Sequence, residues 1–209
     1  MALPMPALTP TPTRRLLSAT FIAAFVSALY LLPMYVRFAS PTLLSPTALD
    51  RAIPFLDWTI WLYYSYGLFL VLPFLVGRDE GGASWTLYAL MTNSMVAALI
   101  FFVWPTSVPA PQPTIGGMSG LLWDGLLTVD RPTNVFPSLH VANACVCALA
   151  LWRERNAWRS VSPVWTLLIV VSTLTTKQHF AVDLLGGAML AAFSLWLVHT
   201  VVRRAAILR

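Results

Sequence analysis

Apolar residues run along this chain in long blocks separated by short polar stretches. The blocks cover residues 16–36, 58–76, 84–104, 135–152, 161–176 and 180–202. A hydrocarbon layer about 30 Å thick asks for about 20 apolar residues at about 1.5 Å rise each. Each block is therefore expected to be one membrane-spanning helix. The predicted fold is all-α, a polytopic membrane protein built as a six-helix transmembrane bundle, with one domain over residues 14–209 and no internal repeat.

The polar stretches between the blocks read as connections. Residues 1–13 hold four prolines and no charged side chain, which predicts a disordered tail. Arg14-Arg15 ahead of the first block resembles a signal sequence, but the block exceeds a signal's apolar region and no small-x-small cleavage site ends it, so an uncleaved span is expected. Twin-arginine export signals serve mostly soluble cargo. Residues 37–57, with Pro41, Pro46, Pro54, Asp50 and Asp57, form a loop with room for a short interfacial helix. Trp58, Trp61, Tyr63, Tyr64 and Tyr66 cluster at one end of the second block, as an aromatic belt would. Asn93, mid-block, is expected to hydrogen-bond a neighbouring helix. Residues 105–135 are the longest connection, rich in Pro and Gly, and Leu121-Leu122-Trp123 suits a short helix lying at the interface.

Composition agrees with a membrane protein: 58% of residues are hydrophobic and only 10% charged. The net charge of +5 does not point to nucleic acid, because the basic residues stand singly or in pairs at block ends. Their distribution instead predicts topology. Six spans put the N-terminus, the 77–83 and 153–160 turns and the C-terminus on one side, which carries nine of the 13 basic residues. The positive-inside rule makes that side cytoplasmic. Cys145 and Cys147, two apart on one helix, point to different faces and are not expected to pair with each other.

That topology brings His140, at the start of the fourth block, and His179 and Asp183, at the start of the sixth, to the outer side together. On a helix His179 and Asp183 stand at i and i+4, neighbours on one face. Asp183 is placed to orient the imidazole, leaving the other ring nitrogen of His179 as a nucleophile or base. His140 is a candidate acid for a leaving oxygen. Ser138 and the N–H groups opening the fourth helix favour an anion there, and Lys177 and Arg131 are candidates for added positive charge. The set suits a phosphate. His199, twenty residues beyond His179, falls at the opposite face and serves as the contrasting case.

Phe136-Pro137-Ser138-Leu139-His140-Val141-Ala142, with His179-x-x-x-Asp183 and Gly186-Gly187 downstream, resembles the type-2 phosphatidic acid phosphatase superfamily of lipid phosphatases and phosphotransferases. The Pro-Ser-Leu-His form and the Thr176-Lys177-Gln178-His179-Phe180 lead-in look most like its inositol phosphorylceramide synthase branch. The resemblance implies that His179 attacks phosphorus to give a phosphohistidine, Asp183 supports it and His140 protonates the leaving group. The chain departs from the lipid phosphatases where they carry basic residues. Val103 and Ala110 stand in for a Lys-x6-Arg-Pro motif and Ser172-Thr173 for a Ser-Arg pair, and Arg131-Pro132 does not restore the first motif. Losing such charge-assisted contacts, about 1.5–3 kcal/mol each, weakens binding of a dianionic phosphomonoester more than of a monoanionic phosphodiester.

The sequence thus predicts a multi-pass enzyme, needing no cofactor or metal, that acts on a phospholipid or lipid phosphate from the outer side of the bilayer. The phosphoryl or headgroup-phosphoryl unit passes to a lipid alcohol or to water. Three rivals are a phosphomonoester phosphatase, a two-histidine-one-carboxylate iron site, for which three histidines with one remote are too few ligands, and a transporter using the His-Asp pair as a proton relay.

Overall fold

The computed structural model describes residues 11–36, 38–77, 80–109, 111, 115–130, 133–154 and 156–207. The predicted disordered tail lies outside the described residues up to residue 10. Helix α1 already starts at Pro12, because Thr11 accepts the Arg14 N–H and proline suits the first helical turn.

Six longer helices follow the apolar blocks: α1 (Pro12–Tyr35), α3 (Ile60–Val76, entered through a 3-10 turn at Asp57–Thr59), α4 (Glu80–Val103), α6 (Leu139–Trp152), α7 (Trp158–Thr175) and α8 (Ala181–Ile207). Two short helices, α2 (Ala48–Ala52) and α5 (Gly117–Val129), form in the predicted loops, and α5 contains the Leu121-Leu122-Trp123 segment.

Four of the helices are long and apolar enough to cross a membrane, over Thr13–Tyr35, Asp57–Val76, Gly81–Val103 and Ala181–Val201. The chain is an all-α integral membrane protein by that measure. The other two differ from the expectation for physical reasons. Helix α6 has 14 residues and rises about 21 Å, less than the layer is thick. It packs against α3, α4, α7 and α8. Helix α7 carries Arg159, Ser160, Ser162 and Pro163 in its first two turns, which dilutes its apolar character.

Between helices, close approach and internal hydrogen bonds replace the hydrophobic drive that lipid removes. Gly187 lets α8 approach α6 so closely that an added Cβ would lie 2.4 Å from the Ser138 carbonyl oxygen. Asn93 donates to the Asn143 side chain at 3.0 Å, as expected of a lone amide in a span, and Asn143 passes the link on to the Tyr66 hydroxyl at 2.9 Å.

At the end of the bundle where α6 and α8 begin, the connections are tied down. Strands β1 (Thr42–Leu43) and β2 (Thr106–Ser107) pair in parallel, Thr42 opposite Thr106. Thr106 also bridges to Asn134 and accepts the Phe136 N–H on its hydroxyl at 2.8 Å. The loops before α2, after α4 and before α6 thus meet at one residue.

Candidate active site

Helix α6 begins at Leu139 and not at residue 135. Pro137 has no N–H to donate and disfavours helical backbone at Phe136. Ser138 is then the N-cap, its hydroxyl accepting the Val141 N–H at 3.4 Å. Its side chain is fully buried, so the hydroxyl that was a candidate phosphate contact serves as a helix cap. His140 comes out in the first turn of α6.

The turn from α7 into α8 is built to hold His179. Lys177 sits at φ 57°, the left-handed position that ends a Schellman motif: its N–H returns to the Leu174 carbonyl and the Gln178 N–H to that of Thr173. Left-handed backbone costs a non-glycine residue about 1–2 kcal/mol. The lysine offsets this through its ammonium, which donates to the carbonyls of Asp50, at 2.9 Å, and Ile53. Lys177 therefore spends its charge on the α2 segment and not on the His pair. The Thr173 carbonyl also accepts the His179 N–H at 3.1 Å.

His179 precedes α8 rather than sitting on it. The Phe180 N–H donates to Asp183 Oδ2 at 2.7 Å, so the carboxylate caps the helix it belongs to. The next free amide, that of Ala181, donates to Asp50 Oδ1 at 2.8 Å. Asp50 is buried and closes a capping box with Thr47 on α2. Burial raises its pKa, but the Thr47 hydroxyl, the Ala181 and Thr47 amides and the Lys177 charge outweigh that and hold Asp50 below the usual carboxylate range.

The two motifs are joined directly, since the Ser138 N–H donates to the Asp183 carbonyl at 3.1 Å. The His140 and His179 rings lie 5.8 Å apart between centroids and inclined at 65°. His179 Nδ1 faces Asp183 Oδ2 at 3.6 Å, with side chains 6% and 0% exposed. That separation is too long for a hydrogen bond, and Nδ1 has no other partner among the described residues. Such pairs commonly tighten only when substrate is bound.

A cavity of about 380 Å³ lies between α1, α3 and α5 and ends on Leu139 and His140. Tyr63 and Tyr66, a turn apart on α3, each lie tilted against the His140 ring, at 34° and 48°, with centroids 4.4 Å away. The aromatic cluster predicted as a membrane belt is thus divided. Trp58, Trp61 and Tyr64 remain exposed, while Tyr63 and Tyr66 turn inward to position a histidine. Their i, i+3 spacing was the signal for this.

Asp130, immediately after α5, lines the same cavity and accepts the Tyr30 hydroxyl at 2.7 Å. It also lies within electrostatic reach of Tyr63 and His179. Burial pushes its carboxyl above the usual range against the lowering pull of Tyr30, His179 and Tyr63. Asp50 and Asp130 thus stand near the His179–Asp183 pair, one buried and one half-buried.

Arg131 lies outside the described residues. Ser172 and Thr173, where the resemblance leads one to look for a basic side chain, are buried and turn their hydroxyls to their own helix, at Ile169 and Val170. Val103 is 71% exposed at the end of α4. His199 is exposed, twenty residues along α8 from His179.

No curated protein matches the chain. A family model described as the PAP2 superfamily matches residues 27–197, from the middle of α1 to near the end of α8. That span takes in both histidine motifs, the Gly186-Gly187 contact and the cavity, and the chain belongs to the PAP2 superfamily, that of the type-2 phosphatidic acid phosphatases.

Proposed function

We propose that this protein is a lipid phosphotransferase of the outer membrane face, cleaving a phosphodiester lipid through a phosphohistidine on His179. Membership of the PAP2 superfamily supports a lipid phosphatase or phosphotransferase kind of activity. The observation that carries the finer reading is the facing pair of imidazoles, 5.8 Å apart, with a buried carboxylate behind one of them. Rings this close can both reach one phosphoryl group lying alongside them, each reacting nitrogen at about 3–3.5 Å from the atom it meets.

In the first step Asp183 holds the Nδ1 proton of His179 and Nε2 attacks phosphorus. The bond from phosphorus to the diacylglycerol oxygen breaks, and His140 gives that oxygen its proton. In the second step a lipid alcohol, or water, attacks the phosphorus. His140 takes the proton of the attacking hydroxyl, the N–P bond breaks, and His179 is restored. Ser138 and Lys177 act by fixing the two motifs, and Arg131 is the remaining candidate for a direct phosphate contact. Six spans with both termini cytoplasmic are inferred from the arginine distribution, and a place near the inositol phosphorylceramide synthase branch, without assigning its headgroup, from the lead-in to His179.

The phosphodiester is preferred to a phosphomonoester because the Lys177 ammonium is engaged elsewhere and Asp130 adds negative charge beside the histidines. The test uses the full chain in lipid nanodiscs with a phospholipid radiolabelled on phosphorus. Acid-labile, base-stable label is expected on wild type and on His140→Ala at a reduced rate, and none on His179→Ala. Turnover that survives in His179→Ala would refute the mechanism, and ion flux in liposomes without lipid turnover would favour the transporter.

A further inference from the structure

The polar end of the cavity has a composition the reaction itself does not require. Tyr30, Tyr63, Tyr64 and Tyr66 from two helices line it together with His140 and Asp130. The Tyr63 and Tyr64 rings stand at 83° to each other with centroids 6.3 Å apart, two walls of a corner. Asp130 closes the corner, bonded to Tyr30 and in electrostatic reach of Tyr63 and Tyr64. No Lys or Arg is among the described residues of the lining. Aromatic faces set around a carboxylate attract an organic cation, each well-placed ring adding to the pull of the counter-charge. The same corner repels a second phosphate charge, and an uncharged polyol would gain hydrogen bonds there but no charge pairing with Asp130.

We propose that this corner is a headgroup site for a phospholipid whose headgroup carries a cationic nitrogen, with Asp130 as the counter-charge and the tyrosine rings as the wall. The proposal rests on the phosphohistidine reading and deepens it. The unit retained on His179 after the first step is the headgroup phosphate, and Asp130 is the carboxylate within electrostatic reach of His179 from α5. The apolar remainder of the cavity, at Ala23, Val26 and Leu70, suits acyl chain.

The experiment compares kcat/KM of the full chain in nanodiscs for phosphatidylcholine and phosphatidylethanolamine against phosphatidylglycerol and phosphatidylinositol of the same acyl chains. The cationic headgroups are expected to be preferred by about tenfold or more, the equivalent of about 1.4 kcal/mol. Asp130→Asn is expected to collapse that ratio toward one, chiefly by raising KM for phosphatidylcholine. A second measurement needs no variant: tetramethylammonium should inhibit wild type competitively at least tenfold better than its uncharged counterpart, 3,3-dimethylbutanol. Equal inhibition by the two, or equal or better turnover of phosphatidylglycerol or phosphatidylinositol, overturns the headgroup site while His179 labelling stands. Absence of His179 labelling by any of the four lipids overturns the underlying reaction as well.

Discussion

Replacing Gly187 by alanine tests whether the active site is set by the approach of α8 to α6. The added Cβ would sit 2.4 Å from the Ser138 carbonyl oxygen, 3.0 Å from Val141 Cβ and 3.3 Å from the Ala142 nitrogen. Two of these neighbours are backbone of the first turn of α6, which cannot rotate away. Relief to the 3.0 Å limit of real Cβ contacts means opening the helix pair by about 0.6 Å. That opening acts where the Ser138 N–H meets the Asp183 carbonyl, and it carries His140 away from His179. Overpacking of this kind costs about 1–3 kcal/mol, and alanine's better helix propensity returns about 1 kcal/mol at most. A displacement near 1 Å at reacting groups costs about 10²-fold in rate.

The expected result for Gly187→Ala is a modest fall in melting temperature in detergent and a fall of about 10²-fold in kcat. Gly186→Ala is the contrast. Its Cβ would meet the Phe136 ring at 2.4 Å, but those atoms are the far end of a side chain that can turn aside. It should retain activity within about tenfold. Both variants are measured by thermal unfolding and by single-turnover labelling of His179. If Gly187→Ala is active within twofold, or Gly186→Ala is the worse of the two, the helix approach does not set the site.

Lys177→Met removes two charge-assisted bonds to backbone carbonyls, about 1.5–3 kcal/mol each before solvent screening, so melting temperature should fall clearly while KM for lipid changes less than threefold. A tenfold rise in KM at unchanged stability would make the lysine a phosphate ligand after all. Asp50→Asn should destabilise by about 1–2 kcal/mol at neutral pH through the lost charge on the Ala181 amide at the start of α8. Because the Asp50 pKa is lowered in the folded protein, its contribution is fully present above the ordinary carboxylate value and is lost as pH falls through the folded one. The gap in melting temperature between wild type and variant should therefore close in acid, and a gap that widens there would refute the assignment.

The pairing of His140 with His179 was legible in the sequence because two short motifs each open an apolar helix, and the expected alternation of helices brings those two openings to one end of the bundle. Helix ends were less legible. The block from residue 135 is apolar throughout, and hydropathy alone extends a helix through Pro137 where backbone chemistry stops it. The supporting groups were not legible at all. Asp50 reaches Ala181 across 131 positions and Tyr30 reaches Asp130 across 100, and neither separation has a periodicity to read. Lys177 shows how local the reason can be: a basic residue two before the proposed nucleophile suggests a phosphate, whereas its left-handed backbone aims the side chain at α2.

The three carboxylates around the histidines divide the work by their partners. Asp183 accepts the Phe180 amide and stands behind His179, while Asp50 accepts the Ala181 amide and steadies the start of α8 from outside. Asp130 accepts the Tyr30 hydroxyl and lines the cavity. Tyr30 from α1, Tyr63 and Tyr64 from α3, His140 from α6 and His179 ahead of α8 surround it, and none supplies a fixed positive charge. Among the described residues none places a cation beside it, and a half-buried carboxylate in that position is costly unless a ligand brings one. Its raised pKa is that cost expressed as proton affinity, and a cationic headgroup would offset it by favouring the ionised form. A substrate able to lower the Asp130 pKa is bound more tightly as pH rises through that value, whereas an anionic one is bound less tightly. The direction in which KM moves with pH therefore reports the charge of the group that occupies the corner.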